Sequence, residues 1–209
     1  MERHRNRAVI TRPAGTPASS SSPRRGAARE HAILDAALQL LGEVGYERIT
    51  VDAIAARAHA SKTTMYRRWP GKAELIADAL RRHAQGEVPT IPDSGSLRTD
   101  LLVTVRQIAE TLTGRAGPSL LGLLEAIRDD TTLRELVGSQ IRQRSHEVGH
   151  AICAHAAARG EPVRLDRADT VLDVAFARVF TDTLFAADTP HVTAQENLVD
   201  EILLPLLDA

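Results

Sequence analysis

TVDAIAARAHASKTTMYRRW, Thr50 to Trp69, has the pattern of two short helices joined by a tight turn. Val51, Ile54 and Ala55 fall at the i, i+3, i+4 spacing of one buried face, which predicts a helix over 51–58. Thr50 is placed to cap it, because its hydroxyl can accept from an amide two or three residues on that has no partner inside the helix. His59-Ala60 forms the turn. Ser61 is a second good N-cap, and the helix behind it is expected to run to Trp69, where Pro70-Gly71 breaks the pattern. Thr63, Thr64, Arg67 and Arg68 cannot all be buried. They leave a polar, basic face with Met65 and Trp69 behind it. A short basic helix braced by an apolar partner suits the major groove of DNA. The same pattern also fits an ordinary helical hairpin with a solvated charged face.

Helices flank this hairpin on both sides. Before it, residues 27–44 carry Ile33, Ala37, Leu38, Leu40 and Leu41 on one face. Gly45 ends that helix where a left-handed residue is cheap, and Tyr46 and Ile49 can pack under the next one. After it, 72–85 turns Leu75, Ile76, Ala79 and Leu80 inward. Residues 27–86 therefore make a small helical head. Residues 1–26 contain MERHRNR, Pro13, Gly15, Pro17, Ser19 to Ser22 and PRRG. Such a segment cannot bury enough apolar surface to order itself. It is expected to be a solvated basic tail, although its arginines could also reach a minor groove. Glu87 to Ser96, EVPTIPDSGS, is a loop by its prolines and turn residues, and marks the boundary with a body over 97–209.

The body has the periodicity of five helices, so the fold is expected to be all-α with about nine helices. They are expected over 97–113, 118–127, 133–159, 167–187 and 194–207. Thr131 or Thr132 is expected to cap the third and Asp166 the fourth. Thr193 and Glu196 have the spacing of a capping box for the last, and Pro205 should end or kink it. The last two are apolar almost all round: Val171, Leu172, Val174, Ala175, Phe176, Val179, Phe180, Leu184 and Phe185 on one, Leu198, Val199, Ile202, Leu203, Leu204, Leu206 and Leu207 on the other. A helix of that kind is buried on more than one side. In a chain of 209 residues the second side is plausibly another subunit.

Composition narrows the function. The net charge of −1 conceals an asymmetry: residues 1–82 carry 15 Lys+Arg against 8 Asp+Glu, a net of +7, and residues 83–209 carry 11 against 19, a net of −8. A polyanion is attracted to the first part and repelled by the second. The single cysteine, Cys153, excludes an internal disulfide and a multi-cysteine zinc site. It is expected as a small buried apolar residue rather than a redox sensor. There is no apolar run of about 18 residues or more, and no secretory h-region, so a cytoplasmic location and no membrane contact are the default. The chain lacks a phosphate-binding Gly loop, GxSxG, HExxH and CxxC, so it is not expected to be an enzyme.

Residues 27–82 closely resemble the DNA-binding domain of TetR-family transcriptional regulators. Ile33 to Ala37, Gly45-Tyr46, Ile49-Thr50-Val51, Ile54-Ala55 and Ala60 to Leu75 fall in the family's order and spacing. The resemblance implies a three-helix helix-turn-helix head on a helical ligand-binding and dimerisation body. It implies a homodimeric repressor of a palindromic double-stranded operator, released when an unidentified small molecule binds the body, with no cofactor. Ser61, Lys62, Thr63 and Thr64 would then approach base edges or phosphates. Tyr66 and Thr50 would meet phosphates, and so would Lys72. Arg67 is a candidate base or backbone contact, since an arginine fork can read a guanine edge. Arg68 is expected to be solvated and Trp69 to pack inward. Thr63 and Arg67 depart from the residues frequent in the family, which leaves the operator sequence open.

In the body, Phe176 and Phe180 share a helix face and could line a cavity with Gln107, or simply pack in the core. The subunit contact is expected through Arg167 to Ala187 and Ala194 to Leu207. His146 and His150 stand four apart on one helix, a spacing that can share a metal. His155 points away from them and the sequence offers no third ligand at compatible spacing. Solvated histidines and no metal are therefore expected. Three functions stand at this stage: a ligand-released repressor, a TetR-like activator or ligand-independent regulator, and a helical enzyme or scaffold with an incidental basic hairpin.

Overall fold

The computed structural model describes residues 23–85, 91–113, 120–185 and 192–208. Among these residues every regular element is helical. The order is α1 (Pro23–Val44), α2 (Val51–Arg57), α3 (Lys62–Tyr66), α4 (Lys72–Gln85), α5 (Leu97–Thr113), α6 (Leu120–Asp129), α7 (Thr131–Ala158), α8 (Ala168–Phe185), α9 (Val192–Leu198) and α10 (Leu204–Leu207). A 3₁₀ turn, Leu165–Arg167, leads into α8. A π segment, Val199–Leu203, joins α9 to α10 with right-handed helical backbone at both seams, so the two form one rod. Counted that way there are nine helices among the described residues, all-α as the periodicity predicts.

Local chemistry sets most of the boundaries. Gly45 (φ 75°) ends α1, its amide donating to the Leu41 carbonyl. Thr50 Oγ1 accepts from the Ala53 amide and caps α2; Ser61 Oγ accepts from the Thr64 amide and caps α3. The turn between them is closed by a pair of bonds, Ala60 N–H to the Ala55 carbonyl (2.9 Å) and His59 N–H to the Ala56 carbonyl (3.3 Å). This double closure requires a left-handed residue just past the helix, and His59 supplies it at φ 49°. Histidine is among the few side chains enriched in that conformation.

Two apolar clusters hold the chain together. The first joins α1, α2, α3 and α4 through Ile33, Leu34, Leu41, Tyr46, Ile54, Met65, Trp69 and Ile76, and continues into Ala126, Leu133 and Val137 of α6 and α7. The second joins α5, the later half of α7, α8 and the C-terminal rod through Leu101, Val105, Ile152, Val171, Val179 and Leu203. α7 therefore contributes its first turns to one cluster and its last turns to the other. Cys153 is buried in the second, as expected, and burial pushes its thiol above the ordinary range. Where α5 begins, Asp100 is fully buried. It accepts from the Ser94 amide (2.6 Å) and hydroxyl (2.7 Å) and from Arg159 Nη2 (3.0 Å).

Several expected boundaries move. α1 opens at Pro23, inside the segment read as tail, and residues 1–22 lie outside the described ones. α3 stops at Tyr66 instead of running to Trp69: the Met65 carbonyl takes both the Arg68 and Trp69 amides (2.9 Å each) and tightens the chain into a turn. Asp130, not Thr131 or Thr132, caps α7, its carboxylate accepting from the Leu133 amide. Asp166 does not cap α8; it sits in the 3₁₀ turn and pairs with Arg164 at 3.0 Å. Thr193 lies inside α9, which has already begun at Val192, so it does not open a capping box. Pro205 neither ends nor breaks the rod. It falls in the first turn of α10, where its missing N–H is not needed, and the π segment absorbs the offset.

Candidate nucleic-acid interface

α3 presents one face to the core and the other to solvent. Met65 is buried and fixes the rotation of the helix, so Ser61, Lys62, Thr63, Tyr66 and Arg67 point outward and Thr64 lies half-buried between them. Tyr66 is 52% exposed, a large aromatic surface with no burial to justify it. Thr50, at the start of α2, is exposed as well. Lys62 Nζ donates to Asp52 Oδ2 at 2.7 Å, tying α3 to α2, with both side chains about 60% exposed. An exposed pair of this kind is weak, so the ammonium can exchange it for a phosphate at little cost.

The residues behind this face are held differently. Trp69 is 5% exposed and donates from Nε1 to Asp78 Oδ2 at 3.0 Å, so it packs inward as expected. Arg68 is not simply solvated: it donates to Glu30 of α1 at 2.5 Å and lies 5.7 Å from the Trp69 ring centroid. Lys72 is half-buried. Its ammonium donates to the Tyr46 carbonyl (3.1 Å) and sits 4.0 Å from the centroid of the Tyr46 ring. Lysine has three donors, and this geometry commits one of them within the head.

Tyr46 joins the head to the body. Its hydroxyl donates to Asp130 Oδ2, 84 residues away, at 2.5 Å. That bond, then the Leu133 amide, holds the Asp130 carboxyl below its ordinary range, and burial beside Asp130 pushes the Tyr46 phenol up. Tyr46→Phe should therefore lower folding stability by about 2 kcal/mol, the size of a hydrogen bond to a charged partner. A depressed carboxylate contributes above its unfolded pKa and loses the contribution as pH falls through the folded value. The difference between the two proteins in urea midpoint should accordingly shrink below about pH 4.

Two family models match this arrangement along the chain. The model for bacterial regulatory proteins of the tetR family matches residues 33–79, and the tetracyclin repressor-like C-terminal domain matches residues 91–202. A DNA-binding transcriptional repressor TetR from Mycobacteroides abscessus is 38% identical over 187 residues, covering 88% of this chain and 96% of that protein. The chain belongs to the TetR family. An uncharacterized HTH-type transcriptional regulator of Mycobacterium tuberculosis is 32% identical over 179 residues, covering 86% of this chain and 88% of that one. Among solved structures, a TetR family transcription regulator aligns with TM-score 0.62 at 24% identity, over 84% of this chain and 96% of its own, which supports the fold. This TetR-family chain is thus a helix-turn-helix transcriptional regulator.

The residues read as an effector site are partly together. Phe176 and Phe180 of α8 stack with centroids 5.8 Å apart at 27°, both half-buried, and neither belongs to the core cluster beneath them. Gln107 of the neighbouring α5 is also half-buried. On the flank of α8 facing α7, Asp169 supplies what the sequence did not suggest. Its Oδ1 lies 2.9 Å from His146 Nδ1 and 3.3 Å from His150 Nε2. His155 is engaged elsewhere, its Nδ1 at 3.2 Å from the Pro92 carbonyl. Only packing between α7 and α8 reveals Asp169, because it lies 23 residues from His146 across a chain reversal. No helix among the described residues is long and apolar enough to cross a membrane.

Proposed function

We propose that this regulator is a homodimeric, cytoplasmic repressor that grips a palindromic operator through α3 and releases it when a small molecule enters the body. One observation carries the reading: the outward row Ser61, Lys62, Thr63, Tyr66 and Arg67 on a helix locked from behind by Met65. Two copies related by a two-fold axis would set these rows in successive major grooves, about 34 Å apart or somewhat more. Phosphates would meet Thr50, Tyr66 and Lys72, and base edges would meet Thr63, Thr64 and Arg67. The repressor sense is taken from the Mycobacteroides abscessus relative, a DNA-binding transcriptional repressor.

Dimerisation is supported by what α8 and the C-terminal rod leave uncovered. Phe185 is 80% exposed and Val192 and Ile202 are exposed too, although Val171, Val179 and Leu203 of the same elements are buried. The apolar surface that Ala168–Phe185 and Ala194–Leu207 present suits a second copy, while Ala186 and Ala187 of the expected contact lie outside the described residues. Phe176, Phe180 and Gln107 form the wall that an apolar effector would touch. No catalytic role is assigned to any residue.

Operator DNA selected from a random pool tests the reading directly. An enriched palindrome is expected. On it, Arg67→Ala should weaken binding by about 1–3 kcal/mol and relax the preference at one position in each half-site. Lys72→Ala should weaken binding evenly across sequences and lower the salt slope by about one. Tyr66→Phe should weaken binding evenly and leave the slope alone, since a phenol carries no charge. A pool with no enriched sequence would sink the reading.

A further inference from the structure

We propose that His146, His150 and Asp169 form a binding site for one divalent ion of the zinc class, pinning α7 to α8. The three side chains are exposed, and their ligand atoms all lie within 4.8 Å of one another. Around a tetrahedral zinc with bonds near 2.0–2.2 Å, neighbouring donor atoms stand about 3.4 Å apart. Two edges of the triangle are close to that value already, at 2.9 Å and 3.3 Å. The imidazole rings converge, with centroids 4.3 Å apart and planes at 48°. Both nitrogens address the same oxygen, Asp169 Oδ1, so an ion seated among them would need small side-chain shifts and no backbone movement.

The backbone beneath the triad is fixed by close contact. Gly149 lies between the two histidines in sequence and is buried against α8. A Cβ at that position would stand 2.1 Å from the Ala168 carbonyl oxygen. The helices therefore approach more closely here than any residue with a side chain allows. Ala168 is the neighbour of Asp169, and Val148, Ile152, Val171 and Leu172 are buried around the same contact. The ligands thus project from two helices whose separation is set by the core, which is the rigid support a metal site needs. The chemistry of the donors chooses the ion. Two imidazoles and one carboxylate suit zinc, cobalt or nickel and disfavour magnesium and calcium, which want oxygen. Three protein ligands leave a fourth position to water.

The test uses the full-length chain without an affinity tag, stripped with EDTA and dialysed, then titrated with Zn²⁺ by calorimetry. One ion per chain is expected. Co²⁺ should bind the same site and give visible d–d absorption of a tetrahedral complex. With zinc at about 100 times its Kd, the melting temperature should rise by about 5–10 °C, and Mg²⁺ should leave it unchanged. His150→Ala and Asp169→Asn should each cost more than the roughly 10–100-fold in affinity that loss of an outer-shell partner costs. His31→Ala, on the exposed surface of α1, should cost nothing. No zinc heat and no cobalt band in the unaltered chain would overturn the proposal. So would a Kd that His150→Ala and Asp169→Asn leave unchanged, because the ion would then sit on other histidines.

Discussion

Arg159→Ala should lower folding stability, read as a clear fall in urea midpoint with the helical signal intact before the transition. Arg159 closes α7 where three carboxylates meet. Its Nη1 lies 2.6 Å from Asp93, its Nη2 3.0 Å from Asp100 and its Nε 2.8 Å from Glu161. Asp100 is 0% exposed, so it cannot recover its water when the guanidinium is removed. Glu161 in turn accepts from the Leu97 amide at 2.9 Å and holds the first turn of α5. One substitution thus leaves a buried anion beside two others and loosens the start of a core helix. Arg159→Lys should recover only part of the loss, because one ammonium cannot reach three carboxylates in the fixed fork that a guanidinium offers. Burial by itself would push the Asp100 carboxyl up, but Ser94 and Arg159 outweigh it and hold the group below its ordinary value. The Leu97 amide and Arg159 do the same for Glu161. Their contribution is complete above about pH 4 and is lost as pH falls through the depressed folded values. The gap between the original protein and Arg159→Ala should therefore be wide at neutral pH and close on acidification.

Where the apolar period is strong, the elements were legible in the chain. α4 and α5 span the residues their apolar spacing predicts, Lys72–Gln85 and Leu97–Thr113. The start and the buried phase of α3 were legible too: Ser61 caps it and Met65 faces the core, so the outward residues follow, although its end at Tyr66 was not. Legibility ends where a distant partner competes. Thr131 and Thr132 look like caps, yet Asp130 takes the role because Tyr46, held in the first core, reaches its carboxylate. Asp100 stands beside Leu101 and Leu102 on a helix whose pattern says nothing of Arg159, 59 residues away. Asp169 escapes notice for the same reason. A hydrogen bond between elements leaves no period in the sequence, whereas burial of a helix face does.

Gly149→Ala should destabilise the protein by about 3 kcal/mol or more, at the upper end of what overpacking costs. The sign is opposite to the rule for glycine in a helix, where alanine is ordinarily better by about 1 kcal/mol. The reason is what the new methyl would meet. Its nearest neighbours are the Ala168 carbonyl oxygen at 2.1 Å and carbonyl carbon at 2.9 Å, both backbone, with Leu172 Cδ2 at 3.4 Å. Backbone cannot rotate away, so α7 and α8 must separate along a contact that Val148, Ile152, Val171 and Leu172 also share. Gly138, on the same helix, is the control. A methyl there meets only the end of the Arg142 side chain, at 3.3 Å, which can swing aside. Gly138→Ala should therefore follow the ordinary rule and stabilise by about 0.5–1 kcal/mol. Urea titration of the two variants side by side decides the matter: equal and favourable shifts would mean that the helices do not meet at Gly149. The same variant bears on the ion site from a different direction. It leaves His146, His150 and Asp169 in place but moves the helices that carry them apart. Zinc affinity should fall although no ligand has changed, and saturating zinc should recover less stability than it gives the original chain.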